Sequence, residues 1–222
     1  MESLYKYKTE LHCHTAESSL KCGKVAAKDI VDTYINAGYN TLLITDHFGG
    51  VHISEKGMEY DICTFLEGYN SAKNTSNKIN IILGMEINLC ANKNDYLVYG
   101  ITEDIIRKNP EMYKLDIEEF CNFAHENELL VYQAHPFRNN MTIIKPDICD
   151  GIEVFNAHPK HDSRNDIALA WAKMFNKNMI SGSDAHRPAG MALSGIKTKT
   201  EIKNSYDLLE VLKSCDYELI TF

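Results

Sequence analysis

Apolar positions along the chain follow two alternating rhythms. Short, nearly continuous apolar runs predict buried strands at "KTELHCHT" (8–15), "TLLITDH" (41–47), "INIILGMEINL" (79–89), "DYLVYGI" (95–101), "LLVYQAHP" (129–136), "DGIEVFNAH" (150–158) and "NMISGSDAH" (178–186). Between them, apolar residues recur at helical spacing. The segment 26–40 places Ile30, Val31, Tyr34 and Ile35 on one face, with Gly38 as its stop. Further helices are predicted over 59–73, over 116–127 (Ile117, Phe120, Cys121 and Ala124 on one face), over 163–176 (Ile167, Trp171, Met174 and Phe175 inward) and over 205–214, ahead of a last strand "YELITF". "ANKN" (91–94) reads as a turn between two strands.

Strands that alternate with helices predict a parallel sheet covered by helices. Runs apolar on both faces suit that burial. At least six of them fit a closed or nearly closed β/α barrel better than an open sheet, and barrel chemistry sits at the C-terminal ends of strands. No repeat, linker or low-complexity tract divides the 222 residues, so a single domain spanning 1–222 is expected.

The polar residues sharpen this picture. His12 and His14 end the first run, Asp46 and His47 the second, and His135 the fifth. Glu86, Asp95 and Glu153 lie within or at the edge of others, and Asp184 and His186 close the last. Residues i and i+2 of a strand share a face, so His12 points with His14 and Asp184 with His186. Neighbours diverge, which turns His47 inward and leaves Asp46 a supporting or turn role. Two imidazoles on one buried face are costly without a partner. Imidazole and carboxylate are the ligands of zinc, manganese and iron sites, and this ring holds more of them than one ion needs.

Composition narrows the function. A net charge of −8 disfavours broad binding of long nucleic acid, although bound divalent ions would reverse the sign locally. The seven cysteines are scattered, with no CxxC, which argues against a disulfide framework or a four-cysteine zinc site. No apolar run is long enough to span a membrane and the first residues lack a signal-peptide pattern, so a cytoplasmic protein is expected.

"ELHCHT", "LLITDH", "GMEI", "AHPF", "GIEVFN" and "GSDAH", in this order from about residue 8 to residue 190, resemble the polymerase and histidinol phosphatase (PHP) superfamily. The resemblance implies a distorted (β/α)7 TIM-like barrel with up to three divalent metals (Zn, Mn or Fe). It assigns His12, His14 and Asp184 to a first metal, Glu86 to a bridge, His135 to a second metal, and His47 and His186 to a third. Asp95 stands where many members carry a histidine, and Glu17, with Cys22 as alternative, is the expected further ligand of the third metal. Glu153 and Asn156 are expected to orient ligands by hydrogen bonds, and Arg138 and Arg164 to grip phosphate. His125 is expected to be structural, His158 and His161 to be loop residues, and His52 to sit in a loop over the mouth.

The implied activity is hydrolysis of a small phosphomonoester, nucleotide or short oligonucleotide by metal-activated hydroxide, with His47, Glu86, Asp184 and His186 carrying the chemistry. No GxSxG elbow or Cys–His signature offers a protein nucleophile. Two rival readings are a metal-dependent hydrolase of C–N bonds and a metal-binding domain without turnover.

Overall fold

The computed structural model describes residues 3–221. Its strands are β1 (Tyr7–Glu10), β2 (Thr41–Ile44), β3 (His47–Phe48), β4 (Asn80–Asn88), β5 (Asp95–Tyr99), β6 (Leu130–Gln133), β7 (Gly151–Asn156), β8 (Asn178–Gly182), β9 (Gly195–Thr198) and β10 (Glu218–Ile220). Its helices are α1 (Ala27–Asn36), α2 (Met58–Lys73), α3 (Glu103–Lys108), α4 (Ile117–Glu126), α5 (Asn165–Met174) and α6 (Ser205–Ser214). The sheet runs β10-β9-β1-β2-β4-β5-β6-β7-β8, with the short β3 added to β4.

This sheet nearly closes on itself. Beyond its strand ends the chain after β8 meets the chain after β1: Asp184 N–H donates to His12 O at 2.8 Å and His14 N–H to Ala185 O at 3.1 Å. The seam therefore joins two of the histidine- and aspartate-bearing segments directly.

β1, β2, β4, β6, β7 and β8 run in one direction, as the alternation predicts, but β5 is antiparallel to both β4 and β6. The physical reason is the "ANKN" turn. With it, the connection between β4 and β5 is residues 89–94, short enough to close a hairpin, whereas a parallel crossover needs about a dozen or more. Two short elements, α3 and β9, were not legible as separate periodic segments.

Side-chain parity sorts the core from the site. Along β4, Leu83, Met85 and Ile87 pack outward with Phe65 of α2 and Phe120 of α4. Ile82 joins Leu43, Leu97, Tyr99, Tyr132 and Ile180 in a second cluster inside the barrel. Glu86 shares Ile82's parity, so the register that buries Ile82 carries the carboxylate to the barrel mouth. One predicted face is reversed. α5 buries Ala168 and Ala172, while Ile167, Met174 and Phe175 are exposed. Small alanines let the helix lie close on Ile152 and Val154 of β7, and the bulkier stripe is left outside.

Among the described residues no helix is long and apolar enough to cross a membrane. The last residue of the predicted strand "YELITF" lies outside the described residues.

Candidate metal centre

The side chains that bear on the mouth sit mostly just past strand ends, where the backbone turns. His135 and Asp184 have φ of 28° and 49°, the left-handed region that L-residues seldom occupy. Such conformations persist where surrounding structure enforces them, and they cluster at functional sites. Both backbones are held. Glu153 accepts the His135 N–H at 2.9 Å, and His12 O accepts that of Asp184.

Glu86 stands at the centre. Its Oε1 lies 3.0 Å from His135 Nε2 and 3.3 Å from His12 Nε2. Its Oε2 lies 2.8 Å from His47 Nδ1 and 3.2 Å from His14 Nε2. Asp184 Oδ1 lies 3.4 Å from His14 Nε2 and 3.2 Å from His186 Nδ1. The Nε2 atoms of His12 and His14 are 3.1 Å apart. His12, His14, Glu86, His135 and Asp184 are all buried.

Potential ligand atoms converge in four overlapping groups: His12–His14–Glu86, His12–His135–Asp184, Glu86–Asp95–His135 and His14–His47–His186. The cluster fits cations better than it fits a hydrogen-bond network. Glu86 Oε2 and His47 Nδ1 approach to 2.8 Å, yet neither makes a hydrogen bond, and both are buried. Buried polar atoms are nearly always partnered, and a set of lone pairs aimed at a common point is what a divalent ion satisfies.

The electrostatics agree. Burial alone would push Glu86 and Asp184 toward neutrality. The charges of His12 and His47 beside Glu86, and of His12 and Arg138 beside Asp184, hold both carboxyls well below the usual range. Asp95 is raised by burial and by the neighbouring Glu86 charge, and its carboxylate accepts from Asn88 Nδ2 at 3.0 Å.

Supporting residues surround the cluster, and an irregularity in β7 after Glu153 brings Asn156 to the same side. Glu153 Oε1 meets His12 Nδ1 at 2.9 Å. Its Oε2 also accepts from Asn156 Nδ2 at 2.9 Å. Asp46 faces away from the cluster and accepts from Thr15 N at 2.7 Å, Thr15 Oγ1 at 2.8 Å and Ser19 Oγ at 2.6 Å. It ties the loop after β1 to the end of β2.

Two expected site residues are not brought to the cluster. Both carboxylate oxygens of Glu17 accept the Ala27 N–H at 3.0 Å, so this side chain covers the first turn of α1 and lines a separate groove. Cys22 lines the cleft instead. Its Sγ donates to Ser19 O at 3.8 Å; burial would raise the thiol, but the neighbouring His186 and His47 outweigh that and bring it down to about 6. Arg164 is the second correction. Its guanidinium donates to Phe137 O and Asn139 Oδ1, pinning the loop after β6 rather than facing the cleft. Arg138 does face it, donating to Asp184 Oδ2 at 2.7 Å and Asn156 Oδ1 at 2.9 Å.

The cleft has a volume of about 450 Å³, and its rim adds Lys21, Lys24, Lys160 and Arg187 to Arg138. Sequence reasoning missed these four cations. Their only signal was adjacency to the motifs, in "KCGK", "HPKH" and "DAHR". His158 and His161 also line the cleft, and His52 stacks on His47 with ring centroids 4.2 Å apart. His125 lies apart, half-exposed, 3.1 Å from Asp150.

Fold and site together define a barrel-like α/β protein whose mouth gathers a buried histidine–carboxylate cluster within a basic rim. Its sequence matches the PHP domain over residues 10–212, and the chain belongs to that family. No match was found among curated protein sequences.

Solved structures share the fold at low identity. A two-domain protein from Bacteroides vulgatus containing a predicted PHP-like metal-dependent phosphoesterase superposes with a TM-score of 0.69 at 17 % identity, covering 99 % of this chain and 66 % of that one. This chain thus spans just under two thirds of that protein. PsfC from Pseudomonas syringae gives 0.68 at 17 % identity, covering 91 % of this chain and 87 % of that one. An amidohydrolase from Chromobacterium violaceum, with bound sulfate and no metal, gives 0.53 at 13 % identity, covering 92 % and 96 %.

Proposed function

We propose that this protein is a metal-dependent phosphoesterase acting on a small phosphomonoester, nucleotide or very short oligonucleotide. The observation that carries the reading is the pairing of the orphaned Glu86–His47 contact with a rim of five cationic side chains, Lys21, Lys24, Arg138, Lys160 and Arg187. The frame is read as a distorted (β/α)7 barrel formed by β1, β2 and β4–β8, with β5 reversed.

His12, His14, Glu86, Asp95, His135, Asp184, His47 and His186 would hold the ions. Bound divalent ions supply acidification of water and neutralisation of phosphoryl charge. The chain's own residues do the positioning. Glu153 holds the proton of His12 on Nδ1, leaving Nε2 free toward Glu86. Arg138 presents a guanidinium suited to two non-bridging phosphoryl oxygens. The rim draws an anion into the mouth of an otherwise acidic protein. A cleft of about 450 Å³ suits one small ligand, not a long strand.

The test loads metal-free protein separately with manganese, zinc and iron. Each form is assayed against phosphomonoesters, nucleoside bisphosphates, short oligonucleotides and amide substrates. Metal-dependent phosphate release, lost in His12→Ala and Glu86→Ala, is the expected result. Turnover that persists in those variants without bound metal would sink the proposal. The similarity to an amidohydrolase keeps C–N hydrolysis as the second reading, and amide turnover without phosphate release would select it.

A further inference from the structure

A second hollow adjoins the basic cleft. It has a volume of about 180 Å³ and shares three wall residues with the cleft, Lys21, His47 and His52. His52 stands at the junction, its ring flat on that of His47, with centroids 4.2 Å apart and planes 9° apart. The two spaces differ in chemistry. The cleft is rimmed by cations, whereas the side pocket is lined by the buried Phe48 and Phe65 and by Ile53. Leu20 and Tyr60 also line it, and both leave apolar surface in water, at 57 % and 39 % exposure.

This pocket is held in shape. Gly49 and Gly50 have φ of 81° and 44°. A Cβ would sit 2.4 Å from Tyr113 Cβ at the first and 2.0 Å from Asn88 Oδ1 at the second, so only glycine lets the segment carrying His52 and Ile53 lie this close to the end of β4. The other end of that segment is tied to α2: Ser54 N and Oγ donate to Asp61 at 3.1 Å and 2.6 Å. Lys21 Nζ donates to Val51 O at 2.6 Å, and Ser18 Oγ to Thr64 O at 2.7 Å. These polar groups are spent on the chain itself. Sugar hydroxyls or the edges of a nucleobase would lose water here without finding them free, a cost that an apolar ring does not meet.

We propose that the side pocket takes the organic part of the substrate, so that the preferred substrates are phosphomonoesters of compact alcohols bearing one apolar ring. This rests on the phosphoesterase reading above. The phosphoryl group lies in the cleft beside Arg138, and the ring lies past His52 against Phe48, Ile53 and Phe65. In the hydrolysis, water oxygen bonds to phosphorus, the bond from phosphorus to the ester oxygen breaks, and the leaving oxygen takes the proton that the water gives up. A hollow of about 180 Å³ has room for one ring and is too small for a nucleoside.

Benzyl phosphate tests this against ethyl phosphate and glycerol phosphate, whose leaving alcohols are of comparable acidity. With the metal-loaded protein, kcat/KM for benzyl phosphate should be higher by about 10- to 100-fold, the usual worth of burying one ring. Thr64→Phe places a ring in the pocket from α2 and should bring that ratio back to about one. Equal kcat/KM for the three esters in the unmodified protein would overturn the inference and leave the proposed function standing. Absence of phosphate release from all three would overturn both. A second measurement covers misfolding of the variant. In the unmodified, zinc-loaded protein, the ring protons of bound benzylphosphonate should show nuclear Overhauser contacts to the methyl groups of Leu20 and Ile53. Binding without those contacts would overturn the assignment.

Discussion

Glu153 and His12 meet at 2.9 Å, carboxylate to ring Nδ1, with both side chains buried. The contact joins β7 to the exit of β1, segments far apart in sequence, and it fixes which nitrogen of His12 can face an ion. Glu153→Gln is expected to keep the fold and to weaken metal affinity about 10- to 100-fold, the usual cost of losing an orienting partner. Isothermal titration with zinc or manganese on metal-free protein checks it. Unchanged affinity would show that His12 is oriented by packing alone.

Arg138 and Arg164 are separated by function although both flank the motifs. Arg138→Ala removes a charge-assisted donor from the cleft, worth about 1.5–3 kcal/mol. The Michaelis constant for a phosphomonoester, and the inhibition constant for phosphate, should rise by about tenfold or more. Arg164→Ala should leave phosphate inhibition unchanged and lower stability by about 1–2 kcal/mol, because its partners are Phe137 O and Asn139. Equal effects on phosphate inhibition from both variants would contradict this separation.

Glu17 caps rather than ligates. Glu17→Ala should cost about 0.5–2 kcal/mol of stability, as loss of a helix N-terminal acceptor does, with no change in bound metal per chain. Denaturant unfolding and elemental analysis read the two quantities independently. Loss of one metal equivalent would restore Glu17 to the site.

The pH dependence should reverse sign with metal. In the metal-free chain, burial lowers His186, but hydrogen bonds with Asp184 and Cys22 outweigh it and push it up to about 10, above its ordinary 6.5. A histidine raised on folding contributes stability that is complete below about pH 6.5 and lost as pH rises through about 10. Metal binding instead expels those protons, so the stabilisation conferred by a fixed metal concentration should grow with pH. Thermal melts between pH 6 and 9, with chelator and with zinc, give both slopes. A metal effect that shrinks as pH rises would contradict the assignment of these imidazoles as ligands.

Most strands, the longer helices and the shared faces of His12 with His14 and of Asp184 with His186 were legible because each rests on local periodicity, whereas the joint cluster with Glu86 and His135 was implied by the family motifs. A period of two decides which side chains share a face, whatever the sheet does later. That rule turned His47 inward and left Asp46 a supporting or turn role, which the structure fills with hydrogen bonds from Thr15 and Ser19. The pairing of Glu153 with His12 beside β8 could be read only once the sheet order was known.

What periodicity could not decide depended on loops and on competing faces. The sequence by itself determined the alternating layers, the inward histidines and carboxylates, and the family. Only the tertiary structure decided that β5 runs backwards, that α5 turns its alanines inward, that Glu17 and Arg164 serve neighbouring backbone, and that Cys22 lines the cleft. The reason is physical. A strand's side-chain directions follow from its own backbone, whereas the aim of a loop side chain is set by hydrogen bonds to segments distant in sequence, such as Lys24 to His186.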